Sequence, residues 1–286
     1  MQVKYICPYW GWSLTPGPSP QVKRGTNNPG SFIEQVVEAG YDGIEIDIPA
    51  NKEFENELLS SIHSQRKQKD FIFIAQQWLA PAKESFEDYK QRFTERLEHL
   101  VTLHPDLINS HTGKDYFSFE QNCLLIEIAF DLSKKTGIRI LHETHRGRFS
   151  FHLPRTLSYL KKFPTLELVA DFSHWCTVAE SLLGDQEEII EQIIPHCSHI
   201  HARVGYEHSP QVNDFRAPEW KNHVDKFIGW WQKIIDHHKD KDQFTICPEF
   251  GPVSYMPTEP FTQKPLTDQW EENLAMKTRL EKEMKR

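Results

Sequence analysis

The sequence predicts a closed (β/α)8 barrel, a TIM barrel of the α/β class, and three observations carry the prediction. Short apolar runs alternate with longer amphipathic ones along the chain. The alternation repeats about eight times, and strands that alternate with helices imply a parallel sheet. The 286 residues fit one barrel of this kind folded as a single domain. That domain is expected to span 1–286, since no strong linker, internal repeat or low-complexity tract interrupts it.

Taken in order, the first strand is 3–7 (VKYIC). It runs into LTPGPSPQVKRGTNNPG (14–30), whose proline and glycine content marks a long loop. A helix over 30–39 follows and stops at Gly40. Strand 43–48 (GIEIDI) leads to a helix at 52–68, and strand 71–75 (FIFIA) to one at 86–103. Ser85 and Asp88 fit a capping box in its aspartate form at the start of that third helix. Strand 107–110 (LINS) precedes a helix at 119–136 that ends at Gly137. Strands 138–143 (IRILHE) and 166–171 (LELVAD) precede helices at 154–163 and 186–195. Strand 199–204 (HIHARV) enters a second long loop, 205–219, before a helix at 220–239. Strand 244–249 (FTICPE) and a helix at 268–284 complete the set. In such barrels the loops that follow strands form the active-site face.

Composition narrows the function. The chain is 38% hydrophobic and 26% charged, with a mean hydropathy of −0.60. No apolar run is long enough to span a bilayer, and MQVKYICPYWGW lacks the apolar region of a signal peptide. A net charge of −8 argues against general affinity for nucleic acid or anionic membrane. The five cysteines, at 7, 123, 176, 197 and 247, form no CxxC pair. They suggest neither a disulfide framework nor a zinc ribbon, and a reducing cytoplasm is the expected location.

Four costly residues lie near the ends of the last four strands: Glu143, Asp171, His201 and Glu249. Burying an unpaired carboxylate is unfavourable. Neighbouring parallel strands lie about 4.8 Å apart, so four such ends can converge on one ion. Three carboxylates and an imidazole suit Mn²⁺, Mg²⁺, Co²⁺ or Zn²⁺ with room left for substrate oxygens. Separate buried ion pairs are the alternative.

This arrangement resembles the xylose isomerase-like sugar phosphate isomerase and epimerase superfamily, which includes ketose 3-epimerases, hydroxypyruvate isomerase, inosose dehydratase and endonuclease IV. The resemblance covers nearly the whole chain in element order, and its motifs concentrate in 141–251. It implies that Glu143, Asp171, His201 and Glu249 hold the metal. It also makes Glu143 and Glu249 the acid/base pair. Asp171-Phe-Ser-His174 matches the family's Asp-x-x-His, whose histidine contacts substrate or a second metal. YDGIEI matches the family's Gly-x-Glu segment and implies that Glu45 faces the barrel interior.

The implied chemistry is proton abstraction next to a carbonyl through an enediolate, on a small sugar or sugar derivative. Isomerisation, epimerisation and dehydration all begin this way. Two further alternatives are an endonuclease IV-like phosphodiesterase and a non-catalytic sugar-binding barrel. The nuclease reading is weakened by Gln76 and Gln77, which stand where a histidine is expected. It is weakened again by Asp214-Phe-Arg216 in place of Asp-x-His.

Weaker candidates surround the four. His111 ends the fourth strand and is expected to touch substrate. His145, Arg146 and Arg148 follow the fifth strand, where basic groups can hold a carboxylate or phosphate. Arg203 is two residues past His201, hence on the same strand face, and needs an anion. His199 reads as a packed histidine one layer deeper. Trp12, with Trp10, Trp78 and Trp175, follows a strand end and is a candidate sugar wall. His237-His238 reads as plain surface. The loop 14–30 is expected either to cover the site or to serve a homodimer contact.

Overall fold

A computed structural model of the protein describes residues 1–12 and 28–284. All of the predicted 14–30 loop except its last three residues lies outside the described residues. Eight strands close into a barrel in chain order, each parallel to the next and β8 parallel to β1. They are β1 (Gln2–Pro8), β2 (Gly43–Ile46), β3 (Ile72–Gln77), β4 (Leu107–Ser110), β5 (Arg139–Glu143), β6 (Leu168–Ala170), β7 (Cys197–His201) and β8 (Gln243–Cys247). The helices are α1 (Pro29–Glu38), α2 (Lys52–Arg66), α3 (Phe86–Val101), α4 (Phe119–Thr136), α5 (Leu153–Lys162), α6 (Phe172–Ala179), α7 (Glu187–Ile193), α8 (Lys221–His237) and α9 (Gln269–Glu283).

Helix boundaries follow local chemistry. The capping box at Ser85 and Asp88 is formed, and Ser118 with Gln121 makes a second at α4. Gly40 and Gly137 both take positive φ, 72° and 75°, where α1 and α4 stop. Gly43 is required by close approach. A Cβ there would lie 2.1 Å from the Ile72 carbonyl oxygen, so any side chain would push β2 off β3.

The sheet faces two environments. Its outer face packs on the helices and forms the main apolar core. Inside the barrel, Ile6, Ile72, Ile74, Leu107 and Cys247 form a separate small cluster. In β3, Ile72 and Ile74 share a face with Gln76. The apolar plug therefore gives way to polar side chains toward the C-terminal ends of the strands.

Three expectations are corrected. β7 ends at His201 rather than at 204, so Arg203 is not a strand residue. Its N–H bonds to the His201 carbonyl at 3.0 Å, a turn that takes the chain out of the ladder. The residues after β6 form a helix, α6, that the sequence did not suggest. His238 is not surface. Its Nε2 lies 2.7 Å from the Cys197 carbonyl oxygen and the side chain is buried, while His237 is exposed.

Candidate functional site

The C-terminal ends of β5–β8 bring the four expected residues together. Glu143 and His201 end β5 and β7. Asp171 directly follows β6, and Glu249 lies two residues beyond β8. All four are buried, and each offers a ligand atom within 4.8 Å of the others. Asp171 also caps α6, accepting from the Ser173 N–H at 3.1 Å.

The His201 ring is held from behind. Its Nε2 donates to Glu45 Oε1 at 3.0 Å, because a carboxylate oxygen only accepts. The other nitrogen, Nδ1, then faces Glu249 Oε2 at 2.9 Å and Glu143 Oε2 at 3.6 Å. That buried Nδ1 has no hydrogen bond of acceptable geometry. A histidine whose one nitrogen donates to a carboxylate and whose other points into a carboxylate cluster has the arrangement of a metal ligand. The four residues could hold a divalent cation, and their hard oxygen and imidazole donors fit one.

Glu45 organises this layer. It accepts from Gln76 at 3.0 Å and Asn109 at 2.8 Å, and its Oε2 lies 3.1 Å from His199 Nε2. Burial acts to raise its pKa, but the facing His201 and His199 rings hold it well below the usual carboxylate range. Asn109 also donates to Glu143 Oε2 at 2.8 Å and so ties the two glutamates together. His111 Nε2 meets the same Glu143 oxygen at 2.8 Å. Burial opposes ionisation of Glu143, yet His111 and His201 hold its pKa well below the ordinary value.

Arg203 is almost fully buried. It pairs with Asp171, and its Nη1 reaches the Glu249 carbonyl at 3.3 Å and Glu249 Oε2 at 3.6 Å. Burial pushes the Asp171 carboxyl up to about 6 despite Arg203, with the Glu143 and Glu249 charges adding to the rise. His174 lies behind this pair, its Nε2 3.0 Å from Arg203 Nη2, and its ring centroid is 3.8 Å from that of His145. Burial lowers the pKa of both histidines well below the usual value.

A cavity of about 400 Å³ opens in front of these groups. Glu143 and Glu249 line it, with His111, His145, Gln76 and Arg203 beside them. Asp47 and the aromatic side chains of Trp10, Trp78 and Tyr255 form the remaining wall. Neither Asp171, His201 nor His174 lines it. Trp12, expected at the substrate, is buried against Phe32 and Trp270 at 4.9 and 5.4 Å between ring centroids. Trp175 likewise packs, stacked on Phe172. Gln77 faces away and accepts from Ser110 Oγ at 2.7 Å. Arg148 is buried and donates to the Gly113 carbonyl at 3.4 Å. His199 is packed as expected, its Nδ1 2.7 Å from Thr245 Oγ1.

Sequence reasoning missed Asn109, Asp47 and Tyr255. Asn109 could have been found by alternation, as a polar residue on the same strand face as Leu107. Asp47 is two residues beyond Glu45, just past the end of β2. Nothing local marks Tyr255, which reaches the site from a loop.

No protein-family model and no curated protein sequence matches the chain. Solved structures do. The probable 3-DHS dehydratase AsbF of Bacillus anthracis is similar with a TM-score of 0.60 and 16% identity, over 100% of both chains. A D-tagatose 3-epimerase-like protein is similar with a TM-score of 0.61 and 15% identity, over 97% of each chain. A xylose isomerase-like TIM barrel/4-hydroxyphenylpyruvate dioxygenase fusion protein matches at 16% identity with a TM-score of 0.55, covering 99% of this chain and 44% of that one. The fold of this chain is therefore that of the xylose isomerase-like TIM barrels.

Proposed function

We propose that the protein is a divalent-metal-dependent isomerase or epimerase of a small sugar or sugar derivative. The observation that carries this reading is the convergence of Glu143, Asp171, His201 and Glu249 around one point, with Glu45 fixing the His201 ring. Those four residues are the metal ligands in this account. A divalent ion bound there would polarise a substrate carbonyl and favour charge developing on it when a neighbouring proton leaves.

The remaining work falls to the side chains. Among the four, only Glu143 and Glu249 line the cavity, so these two carboxylates are the proton-transfer pair. Glu143 is oriented by His111 and Asn109. Glu249 is oriented by Arg203, with Gln76 at 3.5 Å from its Oε1. Arg203 keeps Asp171 paired inside the protein rather than meeting the substrate first. His111, His145 and Gln76 supply polar contacts to substrate hydroxyls, and Trp10 and Trp78 form apolar walls. The site lies at the C-terminal ends of the strands, where barrel enzymes carry their chemistry. The similarity to an epimerase-like protein and a probable dehydratase agrees with a first step of proton abstraction.

The test is solvent deuterium exchange into a panel of ketoses, aldoses and keto acids, followed by NMR with Mn²⁺ or Zn²⁺ supplied. Deuterium should appear at carbon next to a carbonyl, and chelation should stop it. The position of the label and the product separate epimerisation, isomerisation and loss of a hydroxyl. Protein that holds the ion yet exchanges no proton in any class would overturn the reading.

A further inference from the structure

We infer that the substrate of this site carries a carboxylate, and that Arg146 binds it. This deepens the proposed function and rests on it. Arg146 follows His145, which lines the cavity. Its guanidinium lies over the ring of Tyr255, 5.1 Å from the centroid. The Arg203 guanidinium lies 4.9 Å from the centroid of that same ring. Tyr255 is itself a wall of the cavity, packed edge-on against Trp10 with 4.8 Å between centroids. The cavity that holds Glu143 and Glu249 is therefore bounded by the ring on which Arg146 rests.

The state of Arg146 sets it apart from the other basic groups of the site. Arg203 is paired with Asp171, and Arg148 is turned away to the Gly113 carbonyl. Arg96 holds Asp47 at 2.8 Å. Among the described residues, Arg146 has no carboxylate within ion-pair distance and its guanidinium makes no hydrogen bond; its contact is the Tyr255 ring. Arg146 is only half-buried. Resting on an aromatic face leaves the N–H edge of a guanidinium free, and that edge matches a carboxylate bidentately. A phosphate dianion is commonly met by several donors, such as a glycine-rich loop at a helix N-terminus. Here one unengaged guanidinium rests on a ring that lines the cavity, which fits a single carboxylate on a short polyhydroxy acid.

The experiment is calorimetric titration of the metal-loaded full-length protein with gluconate, glucitol and glucitol 6-phosphate. Wild type is compared with Arg146→Gln and Arg146→Lys. Comparing variants on one ligand cancels that ligand's own affinity for the ion. Gluconate should bind wild type at least tenfold more tightly than glucitol. That advantage should disappear in Arg146→Gln and return in part in Arg146→Lys, with metal content and circular dichroism unchanged. Equal binding of gluconate and glucitol, or an advantage that survives Arg146→Gln, would overturn the inference. Tighter binding of glucitol 6-phosphate than gluconate would overturn the choice of carboxylate. Arg146-dependent gluconate binding in a protein that exchanges no α-proton would instead retain the anion site and defeat the proposed activity.

Discussion

Replacing Glu45 by glutamine keeps volume and shape but removes the charge that holds the His201 ring. Glu45 Oε1 is 3.0 Å from His201 Nε2, 2.8 Å from Asn109 Nδ2 and 3.0 Å from Gln76 Nε2, and Oε2 is 3.1 Å from His199 Nε2. A hydrogen bond to a charged group is worth about 1.5–3 kcal/mol. Losing the hydrogen-bond partner that orients a metal-binding histidine lowers metal affinity by roughly 10–100-fold. The two figures agree, because tenfold is about 1.4 kcal/mol. Glu45→Gln should therefore weaken Mn²⁺ or Zn²⁺ binding by roughly 10–100-fold. The loss comes through a His201 ring that no longer presents Nδ1 firmly to the other ligands. A chelator-competition titration reads this directly, with circular dichroism as the control for folding. An affinity within twofold of wild type would refute the reasoning, since His201 would then be positioned without Glu45.

Other variants probe separate parts of the account. Arg203→Ala leaves Asp171 buried without its partner, and breaking a buried pair from one side costs about 3–5 kcal/mol; chemical denaturation of the metal-free protein should show a loss of that size. Gly43→Ala places a Cβ 2.1 Å from the Ile72 carbonyl oxygen, and overpacking of this kind costs about 1–3 kcal/mol, so Tm should fall by several degrees. Glu272 is fully buried, and burial pushes its carboxyl from 4.5 up to about 9. Between those values the folded protein keeps a proton that the unfolded chain has released, so stability falls as pH rises through that window. At pH 7 the cost is about 3 kcal/mol. Glu272→Gln keeps an oxygen for the Phe215 N–H and should raise stability at pH 8 while changing little at pH 4. Equal gains at both pH values would show that the carboxyl is already ionised in the folded state.

Much of this was legible in the sequence because periodicity reports burial. The eight alternating units give eight strands in barrel order. The four acidic or imidazole side chains were conspicuous because each interrupts or ends an apolar run. What local pattern hides is where a strand stops pairing. In HIHARV the alternation continues through Arg203, yet Ala202 makes the last backbone bond to Cys247 at 2.7 Å and the chain turns at His201. Helix α6 was hidden for a related reason. Asp171 reads as the end of a strand while also capping the helix that starts beside it. Partners far apart in sequence were not legible at all. That Arg203 would pair with Asp171, Arg148 with Gly113, and Arg146 rest on Tyr255 depends on how the segments that follow β4 to β8 meet. The same holds for Trp12, whose packing against Trp270 joins opposite ends of the chain.

Whether Glu143, Asp171, His201 and Glu249 bind one ion is decided by metal stoichiometry in equilibrium dialysis with Mn²⁺ and Zn²⁺, on wild type and on His201→Ala. Close to one equivalent should bind wild type and be removed by a chelator together with α-proton exchange, and His201→Ala should lose most of the binding. Less than a tenth of an equivalent on wild type under saturating metal would contradict a metal site at these four residues.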